Sequence, residues 1–314
     1  MLRISRSLLP SMAALALTSY PMLLPAKPLF SGVKDIPVGT DSTIPEGSIT
    51  VAAAERSVLK GATQVVVPLV TVAYESTVKA SLTKVSGGSD SSTTKSKNLM
   101  TTLVIDPKVL QSITDQMQGI VEADLKAQGF DVLPLDSVDK ETRIAGIKKD
   151  EKTDVEVGDN FLAGFAGNGS FNRWYTAGQR PLFGTGPQAA LGETSAIIRT
   201  AREVNKTLLF YRFKVQYAEM DVKNSLFQFH VKGQNSLHIF SADLAVFTPA
   251  NTRGARLYLK DNIIGGAGFV KEVQGAEGSG NYKVVADESV YTEDSLKLLK
   301  AVSQQLAVAL RKNQ

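Results

Sequence analysis

Between Gln64 and Tyr74 the sequence reads QVVVPLVTVAY, and no other stretch limits the fold as much. Residues branched at Cβ favour extended backbone, and a run that is apolar at odd and even positions alike offers no polar face to water. Such a strand has to be covered on both sides. Pro68 lacks the N–H that a ladder needs, so the strand is expected to meet an edge or a bulge there.

What covers it is legible further on. Asp106 caps, Pro107 takes the first helical position, and Ile113, Met117, Ile120, Val121 and Leu125 recur at helical spacing up to Gly129. A short apolar strand, Phe130 to Leu135, follows, and Asp136 and Ser137 offer a cap for a weaker helix through Ile144 and Ile147. This alternation of strand and helix predicts an α/β layer. A helix over 193–204 comes next, and then a clean alternation from Thr207 to Val222. There Leu209, Tyr211, Phe213, Val215 and Tyr217 share one face, and Arg212, Lys214 and Gln216 the other. Strands are expected at 226–232, 236–248, 255–260 and 282–287. A last amphipathic helix, 293–311, is capped by Thr292 and lined by Leu296, Leu299, Val302, Leu306 and Leu310. The expected fold is one main α/β domain, a mixed β-sheet packed by the amphipathic helices 107–128, 193–204 and 293–311.

The N-terminus is of another kind. Arg3 and Arg6 precede an apolar run from Leu8 to Leu17, no acid occurs before Asp35, and small residues follow, which is the pattern of a signal peptide over residues 1–30. Residues 31–60 read as a flexible segment, and the domain is expected over 61–314. Within it Ser86 to Asn98 reads as a low-complexity connector, and 158–192 as a loop rich in Gly and aromatics. Without the leader the chain loses three of its 35 bases and no acid, leaving 32 against 31. That balance does not suit nucleic acid. With no Cys, an exported chain has no disulfide framework, thiol nucleophile or thiolate ligand.

Catalytic signatures find no support. Gly167-Asn168-Gly169 lacks the third glycine of a dinucleotide turn, and Gly184-Thr185-Gly186 runs into Pro187, which has no N–H for a phosphate. Ser170 stands outside any Gly-x-Ser-x-Gly elbow. The only histidines, His230 and His238, flank Gly233-Gln234-Asn235 and read as strand residues around a turn. Glu219 and Asp221 read as solvated acids at a strand end. No catalytic, cofactor or metal-binding residue is assigned. What stands out is the cluster Phe165, Phe171, Arg173, Trp174, Tyr175 and Arg180, too apolar to lie idle in water. It either folds onto the core or meets a partner, and the flanking arginines favour a partner-binding surface.

The order of KGATQVVVPLVTVAYES, a helix, and LKAQGFDVLPLDSV resembles envelope proteins related to the curli secretion channel and periplasmic assembly factors; VLQSITDQMQGIVEADLKAQGFDVL is similar to exported proteins of Gram-negative bacteria. The resemblance implies a scaffold rather than an enzyme. The channel proteins carry a lipid on a Cys, and this chain has none. The expected function is therefore non-enzymatic, a periplasmic binding or assembly protein without cofactor. Its expected partner is an envelope protein or a second copy, with peripheral outer-membrane association as a further expectation. An outer-membrane pore subunit is the alternative, and an exported hydrolase a third. Intact-mass measurement of the exported protein is expected to place the mature N-terminus between residues 17 and 31; retention of Met1 would refute the leader.

Overall fold

The β-branched run does form a strand, and it continues well past Tyr74. The computed structural model of the chain describes residues 35–38, 43–51, 53–86, 93–136, 149–150, 155–158, 169–180, 182–183, 187–224, 229–275 and 280–314. In chain order these form β1 (Asp35–Pro37), β2 (Ile49–Val51), β3 (Gln64–Ser86), β4 (Thr93–Val104), α1 (Pro107–Ala127), β5 (Asp131–Val132) and β6 (Lys149–Asp150). There follow β7 (Val155–Gly158), β8 (Gly169–Thr176), β9 (Leu182–Phe183), α2 (Pro187–Glu203), β10 (Thr207–Asn224), β11 (Phe229–Phe247), β12 (Ala255–Leu259), β13 (Asn262–Ile264), β14 (Val270–Gln274), β15 (Asn281–Ala286) and α3 (Glu288–Lys312). The spine of the main sheet runs β1-β13-β11-β10-β3-β4-β15-β14, and β2, β5, β7, β8 and β12 join beside it. The sheet is mixed, since β10 and β5 pair with β3 in parallel while β4 and β8 pair with it antiparallel. It curls into a half barrel, so the single domain is more sheet than α/β alone would imply.

Pro68 sits at a bulge. Leu208 pairs with Val66 and Phe210 already with Leu69, so two residues of β3 lie where β10 spends one. The extra residue reverses the parity of β3. Val65 and Val67, then Val70, Val72 and Tyr74, enter the main core, whereas Val66 and Leu69 enter a smaller core under α2 with Ile197, Ala201, Leu208, Phe210 and Phe247. Both faces are thus covered where the sequence shows no alternation. β10 behaves as expected, with Leu209, Tyr211, Phe213, Val215 and Tyr217 buried in the main core.

Helices α1 and α3 pack side by side over that core. Leu110, Ile113, Met117, Val121 and Leu125 of α1 are buried, as are Leu298, Leu299, Val302, Leu306 and Leu310 of α3. At about 1.5–3 kcal/mol for each large apolar side chain taken out of water, this seam is a main source of stability in a chain with no cross-links. Ser303 Oγ donates to Asp124 Oδ2 across it at 2.7 Å, and burial raises the Asp124 carboxyl above its ordinary value. The capping Asp106 receives Lys108 N at 2.9 Å, and its own N–H donates to Glu288 Oε1 at the head of α3.

Five expectations are corrected. Residues 31–60, read as flexible, supply β1, which pairs with β13, and β2, which pairs with β12, and they bury Ile44, Val51, Val58 and Leu59. The stretch 158–192, read as a loop, contains β8, β9 and the first turns of α2. The second half of the Ser86–Asn98 connector is the start of β4. Gly233 to Asn235 is no turn but the middle of β11, because both histidines lie on one strand. Finally α3 begins at Glu288, capped by Asp287 accepting from Ser289 N (3.1 Å) and Val290 N (3.2 Å), while Thr292 lies inside and donates to Glu288 O. The expected helix through Ile144 and Ile147 lies outside the described residues. Replacing Asp287 by Ala is expected to cost about 1 kcal/mol in urea unfolding, and Thr292→Ala clearly less; the reverse order would mean that Thr292 is the cap.

Candidate functional site

The aromatic and arginine cluster falls on β8 and the turn after it. β8 runs antiparallel to β3, with Tyr175 opposite Val72, Trp174 opposite Ala73, Arg173 opposite Tyr74 and Phe171 opposite Thr77. Because strand side chains alternate, these residues cannot share one face. Tyr175 is 3% exposed and packs edge-on against Tyr74, ring centroids 5.8 Å apart. It belongs to the core, which corrects its assignment to a partner surface. Phe171, Arg173 and Trp174 are half-buried, and Lys79 Nζ lies 4.6 Å from the centroid of the Phe171 ring. Arg180 is half-buried and donates Nη1 to Pro68 O at 3.4 Å, while its carbonyl receives Thr176 Oγ1. Phe165 lies outside the described residues.

A polar cluster that sequence reasoning missed occupies the point where β3 changes neighbours. β10 pairs with β3 as far as Val215 and Tyr74, and β4 takes up pairing at Thr77. Glu75, 2% exposed, lies in the gap. Its Oε2 receives Tyr217 N and Ala218 N, each at 3.3 Å, and its Oε1 receives Gln216 Nε2 at 3.0 Å. The carboxylate thereby takes the place of strand partners that β10 has left. Gln216 Oε1 meets His238 Nε2 at 3.0 Å, and His238 Nδ1 meets Ser236 O at 3.1 Å.

Both ring nitrogens of His238 thus face oxygen acceptors, which favours the imidazolium, but the ring is 2% exposed. Burying a charged imidazole costs several kcal/mol, whereas one more hydrogen bond returns about 1 kcal/mol. Burial wins, and with Lys214 nearby it pushes the ring down to about 4 against the pull of Ser236 O and Asp35. Lys214, expected on a solvated face, is 8% exposed, its Nζ 5.2 Å from the centroid of the Phe240 ring. Asn172 on β8 is fully buried, and its amide atoms have no partner among the described residues.

Beyond this cluster the β10–β11–β12 surface carries Arg212 Nη2 at 3.2 Å and Arg256 Nη2 at 2.9 Å from the two carboxylate oxygens of Asp243. Both arginine side chains are about half exposed, so each bridge is worth only about 0–1 kcal/mol. Phe240 and Tyr258 are exposed beside them. Phe240 projects from a bulge, since Lys214 pairs with Ser241 and Val215 with Ile239. Arg, Tyr and Phe exposed together are the composition of an interface core. The sequence carried no sign of it, because alternation cannot anticipate a bulge.

Among the described residues no group of three or more His, Cys, Asp or Glu could hold a metal ion. Ser170 lies on the strand β8. No protein-family model matches the chain, and no curated protein and no solved structure is significantly similar to it.

The buried ring makes stability depend on pH. The unfolded chain binds a proton on His238 near pH 6.5 and the folded chain only near 4, so stability is full above 6.5 and falls between 6.5 and 4 as the pH is lowered. Urea unfolding across this window is expected to lose about 3 kcal/mol that a His238→Gln variant does not lose. An equal slope in the variant would place the effect elsewhere.

Proposed function

We propose that the protein is a non-enzymatic cell-envelope protein, exported to the periplasm, that acts in binding or assembly through its two long hairpins. The observation that carries this is the length of their strands. Residues 80–86 of β3 pair with β4 alone, and residues 218–224 of β10 pair with β11 alone, beyond the last rung either hairpin shares with another described strand. A two-stranded ribbon is marginal in water, because it leaves both outer edges unpaired and has no second layer. Ribbons of this length gain stability when a partner chain pairs with an edge or covers a face. The exposed Phe240 and Tyr258 beside the half-exposed Arg212 and Arg256 supply a second contact surface.

The outer-membrane pore is the second reading, favoured by one hairpin. In β10–β11 the register sets Met220 against Gly233 and Val222 against Val231, and between these rungs Asp221 against Lys232 and Lys223 against His230. Apolar rungs alternating with charged ones are what a strand with a lipid side and a water side needs. Two features weigh against it. A spanning strand takes about 9–11 residues, more than this free stretch. In the β3–β4 hairpin Leu82 is set against Lys97, Lys84 against Lys95, Ser81 against Asn98 and Thr83 against Ser96, so neither parity is apolar throughout. No helix among the described residues is long and apolar enough to cross a membrane, which leaves the strand question untouched.

The experiment is crosslinking in isolated envelopes with the wild type and with a variant in which residues 82–97 and 221–232 are each replaced by a short Gly-Ser turn. The variant is expected to melt within a few degrees of the wild type, since the core under α1 and α3 is intact, and to lose its crosslinks. Unchanged crosslinks would sink the reading. Retention of the wild type in the membrane fraction after high-salt and carbonate washing would favour the pore instead.

A further inference from the structure

We infer that the cleft between α2 and the β11–β12 turn is a binding site for a phosphate-type oxyanion. The cleft holds about 280 Å³ and is lined by Ser195, Ile198, Arg199, Arg202 and Thr252. Two arginines and two hydroxyl-bearing residues line it, and among the described residues no carboxylate does. That donor set matches the tetrahedral oxygens of phosphate, which guanidinium groups bind by charge-assisted hydrogen bonds.

The charge balance points the same way. Arg199 and Arg202 stand three apart on one helix, where like charges are neighbours and repel. Arg199 makes no hydrogen bond or ion pair with a described residue, and Arg202 has only a single donation, Nη2 to Asn251 O at 3.1 Å. The negative end of the α2 dipole accounts for cations in its last turns. It does not account for their lying across a hollow from Thr252 on the opposite wall.

The walls are set in advance. Ile197 and Ala201, on the adjoining face of α2, are buried against Leu208 and Phe247, which fixes the helix on the sheet. The opposite wall is tied by Asn251, whose Nδ2 donates to Thr248 Oγ1 at 2.7 Å and to Val58 O at 3.4 Å. Gly254 closes the turn onto the Phe247 ring, where an added Cβ would lie 2.6 Å from Cε1. A site held this way pays little ordering entropy when an anion enters.

The oxyanion has two sources, a soluble phosphate or an anionic lipid headgroup, and the test separates them. The full chain is titrated calorimetrically with inorganic phosphate at low salt, and separately sedimented with phosphatidylcholine vesicles with and without phosphatidylglycerol. Saturable phosphate binding or retention on the anionic vesicles is expected, with phosphate alone indicating the soluble source and vesicles the headgroup. The double variant Arg199→Gln/Arg202→Gln is expected to weaken that binding at least about tenfold while leaving the melting temperature of the free protein unchanged. Lys283→Gln/Lys300→Gln removes the same charge from other exposed sites and is expected to leave binding nearly intact. Failure to bind either probe, or equal weakening by the lysine pair, would overturn the site.

Discussion

Glu75 holds the sheet together where β3 passes from one neighbour to the next. β3 serves β10 along its first half and β4 along its second, and both successors lie on the same edge. At the changeover the backbone N–H groups of Tyr217 and Ala218 are buried without a strand to receive them, and the Glu75 carboxylate does so. A carboxyl group is suited to the place, since its two oxygens accept from three donors, Gln216 Nε2, Tyr217 N and Ala218 N. Gln216 and His238 extend the same polar seam into β11. With the seam satisfied, β10 can leave the sheet and form its own hairpin with β11.

What was legible in the sequence is what lies over the core. The apolar run of β3, the spacing of α1 and the alternation of β10 each report burial against a layer, and burial is what hydrophobic periodicity records. Of the edge or bulge that Pro68 announced, the structure has the bulge. The misread parts are those whose burial is partial or whose pairing is polar. Thr93 to Asn98 looks like a linker because a two-stranded ribbon needs no apolar alternation, and β1 and β2 are three-residue edge strands too short to show a period. β8 was obscured by the glycines in the sequence around it and by aromatics on both parities. Glu75, read from sequence, is only a charge at the end of an apolar run; nothing local says that two strands part there.

The helices divide the sheet unequally, and the function proposed follows from that division. α1 and α3 cover the main core across β3, β11 and β12, while among the described residues α2 covers a smaller core of Val66, Leu69, Leu208, Phe210 and Phe247 on the other face. Past that small core the same face turns charged and aromatic, with Arg212, Asp243, Arg256, Phe240 and Tyr258. An α/β protein whose second face is bare over part of its width has surface to share, and exposed aromatics beside arginine are poorly explained by solubility alone.

Cohesion is therefore concentrated along the α1–α3 seam and at Glu75, and it decreases outward along the hairpins. Each rung of Ser81–Ser86 or Glu219–Asn224 pairs with one described strand only. These rungs can open without disturbing Tyr74, Tyr217 or Tyr291, which lie fully buried in the core. Hydrogen exchange would then rank the molecule in two tiers, the hairpin amides fast and the amides of β3 from Val65 to Tyr74 slow. A partner that binds the hairpins acts on the upper tier, slowing its exchange while leaving the core unaltered. Such binding raises the stability of the ribbons by mass action, and a chain without a single cysteine has no disulfide to hold them instead.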